Sequence, residues 1–308
     1  MNAILESALI IAAADPVDHV VNHKFWTVNG YWIWSGHLGN LLLAAIIVVA
    51  GGLWFAKQVE TGPESQGNDR FLTKNRFAHM IEALAVYLRD EMVQPLLHER
   101  TERFMPFLWT LFFFILVNNL LGLVPILDMI HLISPDLKKA HAAPFGGTPT
   151  QNLAITAALA LFSVVVFNIA GIKELGIKGY LEHQTGGLPL GNPLLWPVVA
   201  LVFIIEVAGN LLIKPIALAI RLFANMTAGH ILVATLFGFV GAGVELGGLA
   251  GTTVSAVSFV GAIAIYFLEI FVAFLQAFVF MFLTTVFISL LSHHGDEHEH
   301  HDSSVAHA

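Results

Sequence analysis

The chain has 308 residues, 56% hydrophobic and only 12% charged, with a formal net charge of −8. A soluble domain carries about 25% charged residues and the mean hydropathy here is +0.76, so the composition is that of a multi-span membrane protein, and the acidic balance argues against a nucleic-acid binder. There is no cysteine, which excludes disulfides and thiolate metal sites.

The N-terminus, "MNAILESALIIAAADP", has a short apolar patch but no positively charged region ahead of it. It reads as part of an arm, residues 1–30, on the non-cytoplasmic side, with a cleaved signal as the alternative. The first membrane span is predicted over 31–56. Tyr31, Trp32 and Trp34 stand at one end and Trp54 near the other, where interfacial aromatics belong. A polar linker with Gly, Pro and Ser follows. In the next segment, 71–104, Phe77, Ile81, Leu84 and Leu88 recur at helical spacing, with Lys74, Arg76, Glu82, Arg89 and Asp90 on other faces. That pattern predicts an amphipathic helix on the membrane surface, the alternative being a soluble helix covering a partner.

A second span is predicted over 105–127 and a third over 152–171, separated by a polar loop with Asp128, Asp136, Lys138 and Lys139. The Gly- and Pro-containing stretch 172–193 is expected to end the third helix. Two long apolar runs remain, 193–240 and 253–291, separated by "GAGVELGGLAGTT". As helices they would extend about 70 and 55 Å at 1.5 Å per residue, against a hydrocarbon core of about 30 Å. Steep tilt resolves the mismatch. The expected fold is therefore an all-α membrane protein with about five membrane helices and one membrane-surface amphipathic helix. The last two helices are long, steeply tilted and paired as a hairpin. Residues 31–292 form one membrane domain. The His- and acid-rich tail 293–308 reads as disordered, with metal binding as the weaker alternative.

Basic residues set the orientation. Lys57, Arg70, Lys74, Arg76, Arg89, Arg100, Arg103, Lys173 and Lys178 fall on one side, against Lys24, Lys138 and Lys139 on the other. The N-terminus is placed outside and the C-terminus in the cytoplasm.

Within 193–240 the polar residues are few. On an ideal wheel of about 100° per residue, Glu206, Asn210, Lys214, Arg221 and Asn225 share one arc of about 100°, while His230 falls on another face. On the return helix Glu269 and Gln276 lie seven residues apart, two turns along one face. A structural Arg–Glu pair or a snorkelling Lys214 would account for one of these groups. Neither accounts for the whole set, and ionisable groups at this depth mark an ion or proton path. A stand-alone proton-coupled secondary transporter would expect internal repeats, and none is evident. A purely structural scaffold leaves the polar stripe unexplained.

The segments "LLIKPIALAIRLFANMTAGH" and "FLEIFVAFLQAFVFMFLTTVFISLL" resemble the two signature stretches of subunit a of the F-type ATP synthase. "RFMPFLWTLFFFILVNNLLGLVP" is similar to that family's earlier span. The resemblance covers most of 77–292. It implies a non-catalytic stator subunit in an energy-coupling membrane, the bacterial inner membrane, without a cofactor. Its implied partners are the c-ring of small two-helix subunits, subunit b of the peripheral stalk, the rest of the complex and the bilayer. By resemblance Arg221 is the essential Arg facing the ring, and its fixed charge separates two proton half-channels. His230 and Glu269 are an exchanged pair: other bacterial members carry Glu and His at these two positions, and this arrangement is that of mitochondrial-type members. Gln276 and Asn225 match family positions near the Arg, and Glu206 would line the exit path. Lys214, Asn210, Asn119 and Asp128 are secondary candidates. Some members have an Asp where this chain has Gly122.

Overall fold

The computed structural model describes residues 22, 24–29, 31–58, 73, 75–124, 126, 129–130, 134, 143–185 and 196–292. Most of the N-terminal arm and of the linker after the first span, the loop with Asp128, and the tail from 293 lie outside the described residues. So does the stretch 186–195.

The described chain opens with an antiparallel hairpin, β1 (Lys24–Val28) and β2 (Tyr31–Ser35). The sequence around it has the hairpin signature: Asn-Gly between two short runs rich in aromatic and β-branched residues. Asn29 takes the positive φ of 53° that such a turn requires. The predicted first span is corrected accordingly, because residues 31–35 are strand. The helix α1 begins only at Gly36 and runs to Gln58.

Next comes α2, Arg76–Tyr87, capped by Asn75, whose side chain accepts from the Phe77 amide at 2.9 Å. A π-turn, Leu88–Val93, and the short α3, Gln94–Leu97, lead to a break at His98 with φ 47° and ψ −120°. The helix α4, Thr101–Leu123, follows. The helix expected over 71–104 is thus interrupted, and the apolar helix starts at Thr101, four residues ahead of the predicted boundary. α5, Leu153–Gln184, passes beyond the predicted end at 171, with a non-helical Gly176 at φ 69° as its only break.

The two long runs are α6 (Trp196–Ala208), a π-turn (Gly209–Ile213) and α7 (Lys214–Leu246), then α8 (Gly248–Ser292). The expected Gly-rich loop is far shorter than thirteen residues: Gly247 alone separates the two helices, and it and Gly248 take the left-handed φ of 62° and 63°. At the apex a Cβ on Gly251 would overlap the Gly243 carbonyl, and the Ser255 hydroxyl donates to the Val240 carbonyl at 2.9 Å. The π-turn also interrupts the single arc drawn on the ideal wheel, since i→i+5 bonding adds a residue to the turn. Asn210 is buried, whereas Arg221 and Asn225 are exposed.

Five helical runs among the described residues are long and apolar enough to cross a membrane: Gly36–Gln58, Arg76–Leu123, Leu153–Lys173, Trp196–Leu246 and Gly248–Leu290. Their outward residues, Leu42, Val49, Leu161, Ile205 and Phe267 among them, are large and apolar. This is the surface expected where lipid replaces water. The molecule is an all-α multi-pass integral membrane protein with one small hairpin.

Two compact units divide the chain. The first comprises Met1–Gly51, Phe113–Thr156 and Arg221–Ala277; the second comprises Gly52–Phe112, Ala157–Ile220 and Phe278–Ala308. The first buries Ile115, Leu222 and a cluster of Leu123, Met226 and Ala273. The second buries Leu88, Leu108, Phe112, Phe167 and Phe280. There Trp109 donates to the Ala85 carbonyl at 3.1 Å and Ser289 to the Leu96 carbonyl at 2.9 Å.

Candidate functional site

In the first unit, His230 and Glu269 meet. The imidazole Nδ1 lies 3.5 Å from the Glu269 Oε1, within ion-pair range. The hydrogen-bond geometry of Nδ1 is instead with the Met226 carbonyl one turn back, at 3.0 Å. Nε2 faces the Gly122 carbonyl at 3.0 Å and the Thr148 hydroxyl at 3.2 Å. Each ring nitrogen therefore meets a carbonyl oxygen, which can only accept. A ring with both nitrogens protonated satisfies both carbonyls. When Nε2 is bare, the Thr148 hydroxyl is the group beside it that can turn and donate. Glu269 is buried at 7% exposure, and its Oε1 has no hydrogen-bond partner. A carboxylate and an imidazole so placed can hold and pass a proton.

Backbone choices make this approach possible. A Cβ on Gly229 would overlap the Glu269 carboxylate, and a Cβ on Gly122 would overlap the Thr148 side chain. An Asp at Gly122 is therefore incompatible with Thr148 in its present place.

Hydrogen-bonded side chains surround the pair. Asn119 is buried and donates to the Ala273 carbonyl at 3.2 Å, and it accepts from Thr150 at 2.9 Å. Gln151 donates to the Met226 carbonyl at 3.1 Å, and Tyr266 to the Leu123 carbonyl at 3.1 Å. Asn225 donates to Gln276 at 2.9 Å, bridging α7 and α8. Arg221, one turn before Asn225, is exposed, and its side chain has no ion pair or hydrogen bond among the described residues.

The remaining candidates group in the second unit. Asn210 donates to Gln184 at 3.0 Å and to Glu206 at 3.3 Å. Lys214 donates to Asn210, and its ammonium lies 4.8 Å from the centre of the Phe287 ring. Glu206, Asn210 and Lys214 thus come together, one helical turn apart, joined by Gln184 from α5. Asp128 lies outside the described residues.

Sequence reasoning missed Thr148, Thr150, Gln151, Gly229 and Gln184, and noted Gly122 only as a place where some members carry Asp. The first three belong to "GGTPTQN", a polar stretch just ahead of a span, and its density of hydroxyl and amide groups was the available signal.

Fold and site together define a multi-pass membrane protein with a carboxylate–imidazole pair inside its helices and an exposed arginine that has no ion pair among the described residues. The ATP synthase A chain family matches residues 39–289. The chain is 37% identical over 283 residues to ATP synthase subunit a of Myxococcus xanthus, covering 88% of this chain and 80% of that one. It is 40% identical over 309 aligned positions to ATP synthase subunit a of Chlorobium phaeobacteroides, covering 100% and 78%. It is 39% identical over 225 residues to ATP synthase subunit a 2 of Chlorobaculum tepidum, covering 73% and 55%. The chain belongs to the ATP synthase A chain family.

Proposed function

We propose that this chain is the proton-conducting stator subunit of a rotary F-type ATP synthase, without catalytic residues of its own. It sits in the bacterial inner membrane with its N-terminus outside and its C-terminus in the cytoplasm. Its partners are the c-ring, subunit b of the peripheral stalk and the remainder of the complex. His230 and Glu269 take up protons on one side of Arg221. Asn225 and Gln276 hold α7 against α8 beside it. Glu206, with Lys214 and Asn210, lines the path on the other side, and Asn119 fixes the wall of the first path.

The observation that carries this reading is Arg221 exposed on α7 while His230, nine residues on, turns inward to Glu269. A guanidinium stays charged at any working pH. Facing lipid in mid-membrane it would cost about 2.5–3.5 kcal/mol on insertion scales. A carboxylate brought to it from outside the chain removes that cost, and a ring of membrane carboxylates brings one with every step. Beside Arg221 such a carboxylate is held ionised and gives up its proton. The same charge bars direct proton leakage between the two paths.

Replacing Arg221 with Ala in membranes that contain the whole complex is expected to abolish proton-driven ATP synthesis while the complex still assembles. Synthesis at the normal rate would overturn the reading.

A further inference from the structure

Thr148 is the group that can serve the His230 Nε2 in either protonation state, so what holds Thr148 matters. It lies in an irregular segment, 143–148, that enters the 3-10 turn Pro149–Gln151. Irregular backbone inside a membrane protein has to have its polar groups satisfied by the protein itself. Here the N-terminal hairpin and the first turn of α1 do that. The Ala143 amide donates to the Lys24 carbonyl at 3.3 Å. The Trp34 indole donates to the Pro144 carbonyl at 2.8 Å. The Asn40 amide donates to the Gly147 carbonyl at 2.6 Å, one residue from Thr148.

Shape reinforces these bonds. A Cβ on Gly39 would overlap the Pro144 carbonyl, and one on Gly36 would stand 3.0 Å from the Gly146 oxygen. Gly147 is held at φ 70°, and a Cβ there would meet the buried His37 ring at 2.6 Å. The far end of the segment is tied to the site: Thr148 to His230, Thr150 to Asn119, Gln151 to the Met226 carbonyl. Met226 is also the carbonyl partner of the His230 Nδ1.

We propose that Asn40 and Trp34 are positioning residues for proton transfer at His230. They clamp the 143–147 strap so that the Thr148 hydroxyl stays at hydrogen-bond distance from Nε2. Among the described residues neither is hydrogen-bonded to His230 or Glu269, and they act through Thr148. The inference rests on the proton-path reading of His230 given above. It adds a function for the N-terminal hairpin.

The test is a double-mutant cycle on proton-driven ATP synthesis in membrane vesicles holding the whole complex, with assembly followed by the amount of this subunit in the purified complex. Asn40→Ala alone is expected to lower the rate about fivefold, since the Gly147 carbonyl loses its buried donor. Thr148→Val alone lowers it by at least as much, and Thr148→Ser, which keeps the hydroxyl, restores most of it. In the Thr148→Val background, Asn40→Ala is expected to add nothing, because its effect is transmitted through the missing hydroxyl. Multiplying losses in the double variant, or an unchanged rate in Asn40→Ala, would overturn the clamp. Should Asn40→Ala fail to assemble, Trp34→Phe removes the indole donor with little change in packing and is read in the same cycle. Arg221→Ala is run alongside. Loss there together with multiplying losses in the cycle sinks the clamp alone. Normal synthesis there sinks the proton-path reading and the clamp with it.

Discussion

Gly229 has no room for a side chain, because a Cβ there would overlap the Glu269 carboxylate. Gly229→Ala should push Glu269 away from His230. Overpacking of this kind costs about 1–3 kcal/mol. We expect proton-driven ATP synthesis to fall about tenfold with assembly intact, because moving Glu269 from His230 raises the barrier to proton transfer, and a tenfold loss corresponds to about 1.4 kcal/mol of that barrier. Gly209, with nothing within 4 Å of its would-be Cβ, is the comparison, and Gly209→Ala should leave the rate near normal. Equal losses in the two variants would show that the glycine at 229 is not there to seat the carboxylate. The ionisable members of the site were legible in the sequence, since Glu269, His230 and Arg221 stand out in apolar surroundings. Gly229, Thr148 and the close packing at Gly122 were not. Their importance lies in what approaches them from segments distant in the chain.

For the helices, the hairpin of α7 and α8 was expected and its apex was not. Two different glycine requirements meet there. Gly247 needs its left-handed backbone, φ 62°, but has open space around it. Gly243 is helical, and a side chain there would overlap Ser255. Gly247→Ala should cost about 1–2 kcal/mol, the price of a left-handed conformation for a residue with a Cβ. Gly243→Val adds overpacking between the two helices, about 1–3 kcal/mol or more because the branched side chain is larger than a methylene. Thermal unfolding of the detergent-purified protein should show a lower Tm in both, with the larger fall in Gly243→Val. The reverse order would remove the packing argument. The π-turn at Gly209–Ile213 was also beyond sequence reach. A wheel assumes constant rotation per residue, whereas the extra residue in that turn shifts every phase before it. Asn210 is buried beside Gln184, whereas Arg221 and Asn225 are exposed.

Across the molecule, the bias of basic residues makes the proposed orientation testable. Arg76, Arg89, Arg100 and Arg103 crowd one inter-span segment, while Lys24 lies in the hairpin before α1. The chain has no cysteine, so single substitutions give unique labels. A membrane-impermeant thiol reagent should label Val28→Cys in intact cells and Glu99→Cys only in everted vesicles, both positions being exposed. The opposite pattern would invert the topology. The number of spans and their approximate places followed from sequence alone, because a bilayer demands about 20 apolar residues per crossing and makes each charge inside it conspicuous; the family followed from the resemblance of the signature segments. The break at His98, the phase of α6 against α7 and the strap that carries Thr148 to His230 were decided by the tertiary structure; the strap depends on hydrogen bonds and close approaches between residues far apart in the chain, and local pattern holds no record of these.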